Sequence, residues 1–356
     1  MNSGKDDCNR LQMRPARQPT LSDVARLTGV STATVSRVLN RPGDVSPALR
    51  ERVLAEIEAV GYVPHGAART LASQRSSTVG AIIPTLSNAI FATGLQAFEQ
   101  RLDESGYTLL IAISEYDPDH AVRHARSLLS RGVDGLMLIG QSHSDEVFEL
   151  IRSKDLPYVT TWTYNPAGPH PSVGFDNRLA AYRLTRYLLE IGHRDIAMIA
   201  GRSEGNDRAR DRIAGVREAQ ADWGIELPPH WLVECAYEIA DGRDAMRLLM
   251  SPSARPTAVV CGNDVLAMGA LFEGQAMGLD VPGDVSIAGF DDLPLVAHLA
   301  PPLTTMAVPS ELMGRKAAEY LLARFAGNAV PDMTELEVGL IVRETTAPPD
   351  GLREAR

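Results

Sequence analysis

Short apolar runs recur along the chain from residue 79 onward, and stretches with helical periodicity lie between them. The runs include VGAII, TLLIAI, GLMLI, IAMIA, AVVCG and VSIAGF, and the helical stretches include residues 95–105, 120–132 and 178–192. Strands that are apolar throughout are typical of parallel sheets that helices cover on both faces. The sequence therefore predicts an α/β core of doubly wound parallel sheets.

This core is too long for one sheet. Residues 78–347 exceed the usual domain size of about 100–150 residues, so we expect two lobes. The strand pattern places lobe 1 at about 78–173 and 305–331, and lobe 2 at about 174–304 and 332–347.

Residues 20–40 read TLSDVARLTGVSTATVSRVLN and predict two short helices joined by a tight turn. Thr20 and Ser31 are typical helix caps, and Gly29 permits the turn between the helices. Apolar residues recur three and four positions apart in both segments, so each helix has one inward face. Together they form a helix-turn-helix.

A third helix is predicted after this pair, because Ser46 and Pro47 are a typical helix start and Gly61 a typical end. Its apolar ridge is expected to close a small core over the pair and consists of Leu49, Val53, Ile57 and Val60. The headpiece is therefore predicted to span residues 19–62.

The outward face of the second helix is small, hydroxylated or basic, with Thr32, Ala33, Thr34, Ser36 and Arg37. Such a helix fits a DNA major groove about 12 Å wide. Arg37 is predicted to read a guanine, because its planar fork matches the O6/N7 pair. Thr34 and Ser36 are predicted to bond phosphates. The alternative is an ordinary helical hairpin with a solvated face.

Residues 63–77 connect the headpiece to the core and are predicted to be a hinge, because their Ala-rich centre suits only one or two helical turns. The alternative is a plain flexible linker. Residues 1–18 have no periodicity and are expected to form a mobile tail, and residues 348–356 form a second tail.

The net charge of −10 is unevenly divided. Residues 1–75 carry 11 basic and 7 acidic side chains, or +4, while the remaining residues carry 24 and 38, or −14. A basic head on an acidic body is expected where only the head meets phosphate. No apolar run approaches the roughly 20 residues of a membrane span, and no secretory signal is present, so we expect a cytoplasmic protein without a membrane partner.

Polar or aromatic residues follow several predicted strands, as expected for a cleft at the carboxyl ends of parallel strands. They include Asn88, Phe91, Trp162, Asp176, Asn263, Asp264, Asp291 and Asp292. Carboxylates and amides suit hydroxyl groups, and flat rings suit the apolar face of a sugar. Some of them have a structural alternative: Asp291 or Asp292 can cap the following segment, and Phe91 can belong to the core.

The run DVARLTGVSTATVSRVLN resembles the LacI/GalR family of bacterial transcription regulators, and the resemblance extends over nearly the whole chain. It implies a core of the periplasmic-binding-protein type 1 fold. It also implies that Ala68 and Leu71 lie in a hinge helix that orders on operator DNA, with Leu71 as a wedge in the minor groove. Gly66 and His65 depart from the family pattern there.

The same resemblance implies effector-binding roles for Arg212, Asp291, Asn263 and Phe91. Without it, Arg212 would be expected to pair with Asp207 or Asp211. Trp162 stands where relatives often have an acidic residue, and its indole suits stacking on a sugar face.

The segments IPTLSNAIFA and SVGFDN resemble the gluconate-repressor branch. Because Arg212 could also form a two-point bond to a carboxylate, the expected effector is a sugar or sugar acid such as gluconate.

No catalytic set, metal motif or phosphate-binding glycine loop is present in the sequence, so no enzyme activity, metal or cofactor is expected. His193 is expected to be structural, and Cys8, Cys235 and Cys261 to be reduced thiols. The prediction is a homodimeric regulator, expected to be a repressor, on a pseudo-palindromic operator in double-stranded DNA. The rivals are a free sugar-binding protein and a sugar-processing enzyme with an accessory helical head.

Overall fold

The computed structural model describes residues 18–63, 75–251 and 255–349. It divides into two compact units, residues 1–76 and 77–356. The predicted wedge residues Ala68 and Leu71, most of the hinge, and nearly all of both tails lie outside the described residues.

The first unit contains the three predicted helices, α1 (Leu21–Thr28), α2 (Thr32–Asn40) and α3 (Pro47–Val60). The Thr20 hydroxyl accepts a hydrogen bond from the Asp23 amide, and the Asp23 carboxylate accepts one from the Thr20 amide, which together form a capping box. Gly29 has a φ of 69°, so a residue without a side chain ends α1 and permits the turn. The helix-turn-helix predicted from the sequence is therefore present.

A small apolar core holds these helices together. Its buried members are Val24, Ala25, Val35, Val38, Val53 and Tyr62. They come from all three helices and the residue after Gly61, so α3 closes the core over the helical pair as its apolar ridge predicted.

The second unit begins with alternating strands and helices. They are β1 (Thr78–Ile83), α4 (Ala89–Asp103), β2 (Thr108–Ile113), α5 (Pro118–Ser130), β3 (Gly135–Ile139), α6 (Asp145–Arg152), β4 (Tyr158–Thr161) and β5 (Ser172–Gly174). β1, β3 and β4 are almost wholly buried and pair in parallel, as continuous apolar runs favour.

The chain then enters a second set of alternating elements. They are α7 (Asn177–Glu190), β6 (Ile196–Gly201), α8 (Asp207–Ala221), β7 (Leu232–Cys235), α9 (Ile239–Met250), β8 (Ala258–Cys261), α10 (Asp264–Ala276), β9 (Ser286–Asp291) and β10 (Thr304–Ala307). The chain closes with α11 (Ser310–Phe325), β11 (Met333–Glu335) and β12 (Gly339–Ile341).

These strands form two sheets in the described part of the chain. The first lobe has the order β11-β5-β4-β3-β1-β2, and the second has β12-β10-β9-β8-β6-β7. Only the edge pair of β10 and β12 is antiparallel among the described pairs. Two doubly wound lobes are therefore present, as predicted.

The chain crosses between the lobes again after residue 300, and these crossings differ from the predicted boundaries. β10 pairs in parallel with β9, so residues 304–307 belong to the second lobe rather than leaving it at 305. β11 pairs with β5, so residues 333–335 belong to the first lobe. Strand pairing decides both assignments, and an apolar pattern does not reveal which sheet a short strand joins.

Two glycines allow α4 and α11 to pack closely in the first lobe. A Cβ on Gly314 would lie 1.9 Å from the carbonyl oxygen of Gly94, and a Cβ on Gly94 would lie 2.4 Å from the Trp162 ring. Side chains at these two positions would therefore force the helices apart.

Two of the cysteines lie within the described residues, and both are free thiols. Burial raises the pKa of Cys235 to about 11 and that of Cys261 well above its ordinary value. No helix among the described residues has the length and apolar character that crossing a bilayer requires.

Replacing Gly314 by Ala is expected to lower the free energy of unfolding by about 1–3 kcal/mol, because an overpacked core must shift backbone. Urea denaturation of the full chain measures this loss. Gly339→Ala is the matched control, since a Cβ there meets nothing within 4 Å. Equal losses in the two variants would contradict the close contact between the helices.

Candidate functional site

The exposed face of α2 carries the side chains predicted to meet DNA. Thr32, Ala33 and Arg37 are exposed, while Val35 on the opposite face is fully buried. The Thr34 hydroxyl lies 2.9 Å from that of Ser31, the N-cap of α2. The helix therefore presents two small side chains and one long guanidinium without exposing its apolar face.

A small cavity lies in the second unit, where strands of both sheets end. It is lined by Asn88, Ile90, Phe91, Tyr116, Trp162, Arg208, Arg212, Tyr237, Asn263 and Asp291. All five residues predicted to bind an effector are in this group. The fold thus brings together side chains that lie up to 200 residues apart in the sequence, near the carboxyl ends of parallel strands.

Arg212 is a buried cation of the cavity, with 6% of its surface exposed. Its Nε donates to the Asn177 side chain at 2.9 Å, and its Nη1 donates to the Gly262 carbonyl. The guanidinium carbon lies 3.7 Å from the centre of the Phe290 ring. Because Nε and Nη1 each donate one bond to the protein, one N–H of Nη1 and both of Nη2 remain for a ligand, and the two-point bond to a carboxylate stays a prediction.

The remaining nitrogen of Arg212, Nη2, lies 4.0 Å from a carboxylate oxygen of Asp291. Asp291 is 3% exposed, and burial raises its pKa well above the ordinary value despite the nearby guanidinium. The two groups are close enough for one ligand hydroxyl to accept from the arginine while it donates to the aspartate.

Two buried donors in the cavity have no hydrogen-bond partner among the described residues. They are Nε1 of Trp162 and Nδ2 of Asn263. The other amide atom of Asn263 is occupied, because Oδ1 accepts from the Leu266 amide and caps α10. A buried donor without an acceptor costs about 1–3 kcal/mol, so both groups favour a ligand that supplies oxygen atoms.

Phe91 provides an apolar wall. Its ring meets the Trp162 ring edge to face, with centroids 5.3 Å apart. Both rings are at least 95% buried, so Phe91 belongs to the core and lines the cavity at the same time.

Strained backbone marks the cavity. Tyr116, Trp162 and Asp291 have φ values of 60°, 58° and 125°, which side-chain-bearing residues rarely adopt. Each such conformation costs on the order of 1–3 kcal/mol and persists where the surroundings enforce it, often at functional sites.

Sequence reasoning missed three cavity residues, namely Tyr116, Arg208 and Tyr237. Tyr116 follows β2 and Tyr237 follows β7, so applying the strand-end rule to those two strands would have found both. Arg208 precedes Arg212 by one helical turn on α8, a spacing that places both side chains on one face. The two tyrosine rings lie 6.1 Å apart.

Other predicted strand-end residues lie outside the cavity and have structural roles. Asp176 caps α7, and Asp292 forms an ion pair with Arg343 at 2.7 Å. Asp264 accepts from the Thr305 hydroxyl at 2.6 Å, and burial raises its pKa to about 6.

His193 is a buried structural residue, as predicted. Its Nδ1 lies 2.9 Å from the Thr257 hydroxyl, and its Nε2 lies 2.9 Å from the Ala347 carbonyl.

A direct contact joins the two lobes beside the cavity. The amide of Gln141, after β3, donates to Oδ2 of Asp207 at 2.7 Å, and Oδ1 of Asp207 accepts from Arg208 at 2.8 Å. A Cβ on Gly140 would lie 1.8 Å from Arg208 Nη1, and the φ of Gly140 is 78°. The positive φ favours glycine at this position, and a Cβ would displace the Arg208 guanidinium.

A second cavity adjoins the first, and Tyr116 and Arg208 line both. Its lining also includes Ser114, Ser142 and His143. Nε2 of His143 donates to the Ile139 carbonyl at 3.3 Å. Burial, helped by the charge of Arg208, lowers the pKa of His143 to about 4.

Within the described part of the chain, no group of three or more His, Cys, Asp or Glu side chains is arranged to hold a metal ion.

A helix-turn-helix unit followed by a two-lobed core with a polar cleft defines the class of ligand-controlled DNA-binding proteins.

Comparisons with known proteins identify the family. Residues 20–65 match the family of bacterial regulatory proteins, lacI family, and residues 185–346 match the periplasmic binding protein-like domain. The ribose operon repressor of Haemophilus influenzae is 35% identical over 86% of this chain and 91% of its own length. The transcriptional regulator GntR of Escherichia coli K12 is 35% identical over 90% of this chain and 96% of its own length.

A solved structure agrees with these relatives. The lac repressor dimer bound to operator and the anti-inducer ONPF has a TM-score of 0.84 and 27% identity over 93% of this chain and 100% of that one. The chain belongs to the lacI family, and it is a DNA-binding transcriptional regulator.

The depressed pKa of His143 predicts a specific loss of stability in acid. Unfolding returns the group to its ordinary value of about 6.5, so its contribution is fully present above that pH and is lost as pH falls toward 4. Lowering the pH from about 7.5 to about 5 should reduce the free energy of unfolding of the native chain. The reduction should be about 2 kcal/mol larger than in His143→Gln. Urea denaturation at both pH values measures this difference, with the exposed His230→Gln as control. The same acid loss in all three chains would contradict it.

Proposed function

We propose that this regulator is a homodimeric repressor whose affinity for a pseudo-palindromic operator is controlled by a sugar or sugar acid bound in the cavity between its lobes. The observation that best supports this proposal is the presence of two buried donors without partners, on Trp162 and Asn263, in the cavity that also holds the Arg212–Asp291 pair. Together they present donors and an acceptor to a ligand rich in hydroxyl groups.

Each cavity residue has a distinct role in this proposal. Nη2 of Arg212 donates to a ligand oxygen, and Asp291 accepts from a ligand hydroxyl. Nδ2 of Asn263 and Nε1 of Trp162 donate to two further oxygens. Phe91, packed on Trp162, faces the apolar side of the sugar ring or chain.

The headpiece supplies the sequence reading. Arg37 is the only cation on the exposed face of α2, and we assign it a guanine. Thr32 and Ala33 face base edges, and Thr34 and Ser36 position the helix against phosphates. A dimer of such headpieces reads two half-sites, which is why the operator is expected to be pseudo-palindromic.

The hinge is proposed to couple the two events. In this account, Ala68 and Leu71 order on the operator, and Leu71 enters the minor groove and kinks the duplex. The effector acts by binding one arrangement of the lobes more tightly than the other. Because the protein acts through binding, the ligand is expected to leave chemically unchanged, without a metal or cofactor.

Arg37→Ala is expected to remove selectivity at one or two base pairs of each half-site, at about 1–3 kcal/mol. Selection of bound fragments from random DNA, followed by titration of the selected site and its single-base variants, measures this change. Arg52→Ala removes the same charge from an exposed position on α3 and is expected to weaken all sites alike. If both variants lost affinity uniformly across sites, Arg37 would not read bases.

Effector binding is tested by calorimetry with a panel of sugars and sugar acids, including gluconate, and by repeating operator binding with each compound that binds. Arg212→Gln is expected to weaken binding of the active compound at least a hundredfold while operator binding persists without its response. Arg217→Gln, exposed on the same helix, removes the same charge away from the cavity and should behave as the native chain.

Two outcomes would overturn the proposed effector class. One is heat only from another class of compound, and the other is a sugar response that survives Arg212→Gln in a folded protein. Turnover of a bound sugar would favour the enzyme that the sequence left as a rival.

A further inference from the structure

We propose that Arg208 binds an acidic group of the effector, a carboxylate or a phosphate, and thereby selects acidic sugars over neutral ones. This inference rests on the proposed function, because it assigns a second contact within the same cavity. Arg208 adds to the proposed contacts with ligand hydroxyl groups, and the strand-end pattern in the sequence did not predict it.

The guanidinium of Arg208 is buried and largely without partners. The residue is 6% exposed, and its one hydrogen bond among the described residues runs from Nη1 to Oδ1 of Asp207. A guanidinium has five N–H donors, so four of them meet no acceptor in the described part of the chain. None of the Arg208 nitrogens is among the buried side-chain atoms without a partner, so the free donors reach solvent in the cavity, where an oxyanion could bind them.

These free donors face space that a ligand can occupy. Arg208 lines the main cavity and the adjoining second one, together with Tyr116. Ser114 and Ser142 also line the second cavity and bring hydroxyl groups to it. A group placed at this boundary can bond to Arg208 while the rest of the molecule stays in the main cavity.

The two arginines of α8 therefore have different tasks. Arg212 is held by Asn177 and the Gly262 carbonyl, and its open nitrogen lies beside Asp291, an arrangement suited to a neutral hydroxyl. Arg208 has a single protein partner and an open fork, which matches the two oxygens of a carboxylate or phosphate.

The charge of the cavity favours an anion. Arg208, Arg212 and Asp291 line it, and the Asp207 carboxylate forms an ion pair with Arg208. Burial raises the pKa of Asp291 well above its ordinary value and so disfavours its charged form. The two guanidinium charges then face one carboxylate, and an acidic ligand balances the excess.

Arg208 is also positioned by the contact between lobes. The same Asp207 carboxylate that holds its Nη1 accepts the Gln141 amide of the opposite lobe. An acid bound to Arg208 therefore engages a side chain whose position depends on the closed arrangement of the lobes. This gives an acidic effector a means to bind one arrangement more tightly than another.

The test compares acidic probes with neutral partners by calorimetry on the full chain. D-Gluconate is paired with sorbitol, and D-glucose 6-phosphate with D-glucose, so the two arms distinguish carboxylate from phosphate. The native chain is expected to bind at least one acid ten- to a hundredfold more tightly than its neutral partner. Arg208→Gln should reduce that ratio to about one by weakening the acid alone, and Arg208→Lys should keep part of it.

Arg210→Gln is the matched control, because Arg210 is exposed on the same helix and the substitution removes the same charge. It is expected to retain the full preference, and thermal unfolding checks that each variant is folded. A loss of preference in Arg210→Gln equal to that in Arg208→Gln would assign the effect to overall charge and overturn the proposal.

The remaining outcomes separate this inference from the proposed function. If a neutral sugar binds as tightly as its acid and controls operator binding, the proposed function stands and the role of Arg208 is refuted. If an acid is preferred but Arg208→Gln leaves the preference intact, the role is likewise refuted. If neither sugars nor sugar acids bind and another class does, both proposals fail.

Discussion

The buried guanidinium of Arg212 holds the ligand cavity together. It donates to Asn177, whose own amide donates to the Trp162 carbonyl at 2.9 Å in the first lobe. It also donates to the Gly262 carbonyl and lies on the Phe290 ring in the second lobe. A buried charge is tolerated only where such partners surround it, so this one side chain fixes the relative positions of strand ends from both sheets.

The cavity is built at a cost that the rest of the core must offset. Tyr116, Trp162 and Asp291 hold strained backbone, and Trp162 and Asn263 bury donors without partners. Together these features amount to several kcal/mol by the usual magnitudes for strain and lost hydrogen bonds. A ligand that supplies oxygen atoms recovers part of this cost, which gives it a direct means of favouring the closed cavity.

The Gln141–Asp207 contact shows how a binding site and a conformational equilibrium can share atoms. The Asp207 carboxylate faces the opposite lobe through one oxygen and Arg208 through the other. Opening the lobes would break the first bond and free the carboxylate that positions the second. With the proposed role of Arg208, occupancy of the cavity and the contact between the lobes are linked through this side chain.

The sequence by itself determined the kinds of elements and the chemistry at strand ends. Capping residues and apolar spacing predicted the three headpiece helices, and continuous apolar runs predicted two parallel sheets, because these signals act within a few residues. The strand-end rule, aided by family resemblance, predicted Arg212 and Asp291 in one cavity. Tertiary structure alone decided that β10 joins the second sheet and β11 the first, that Arg212 has two nitrogens engaged, and that Arg208 faces the cavity with an open fork. Those outcomes depend on which distant groups meet once the lobes have packed, and no local pattern encodes the partners of a buried charge.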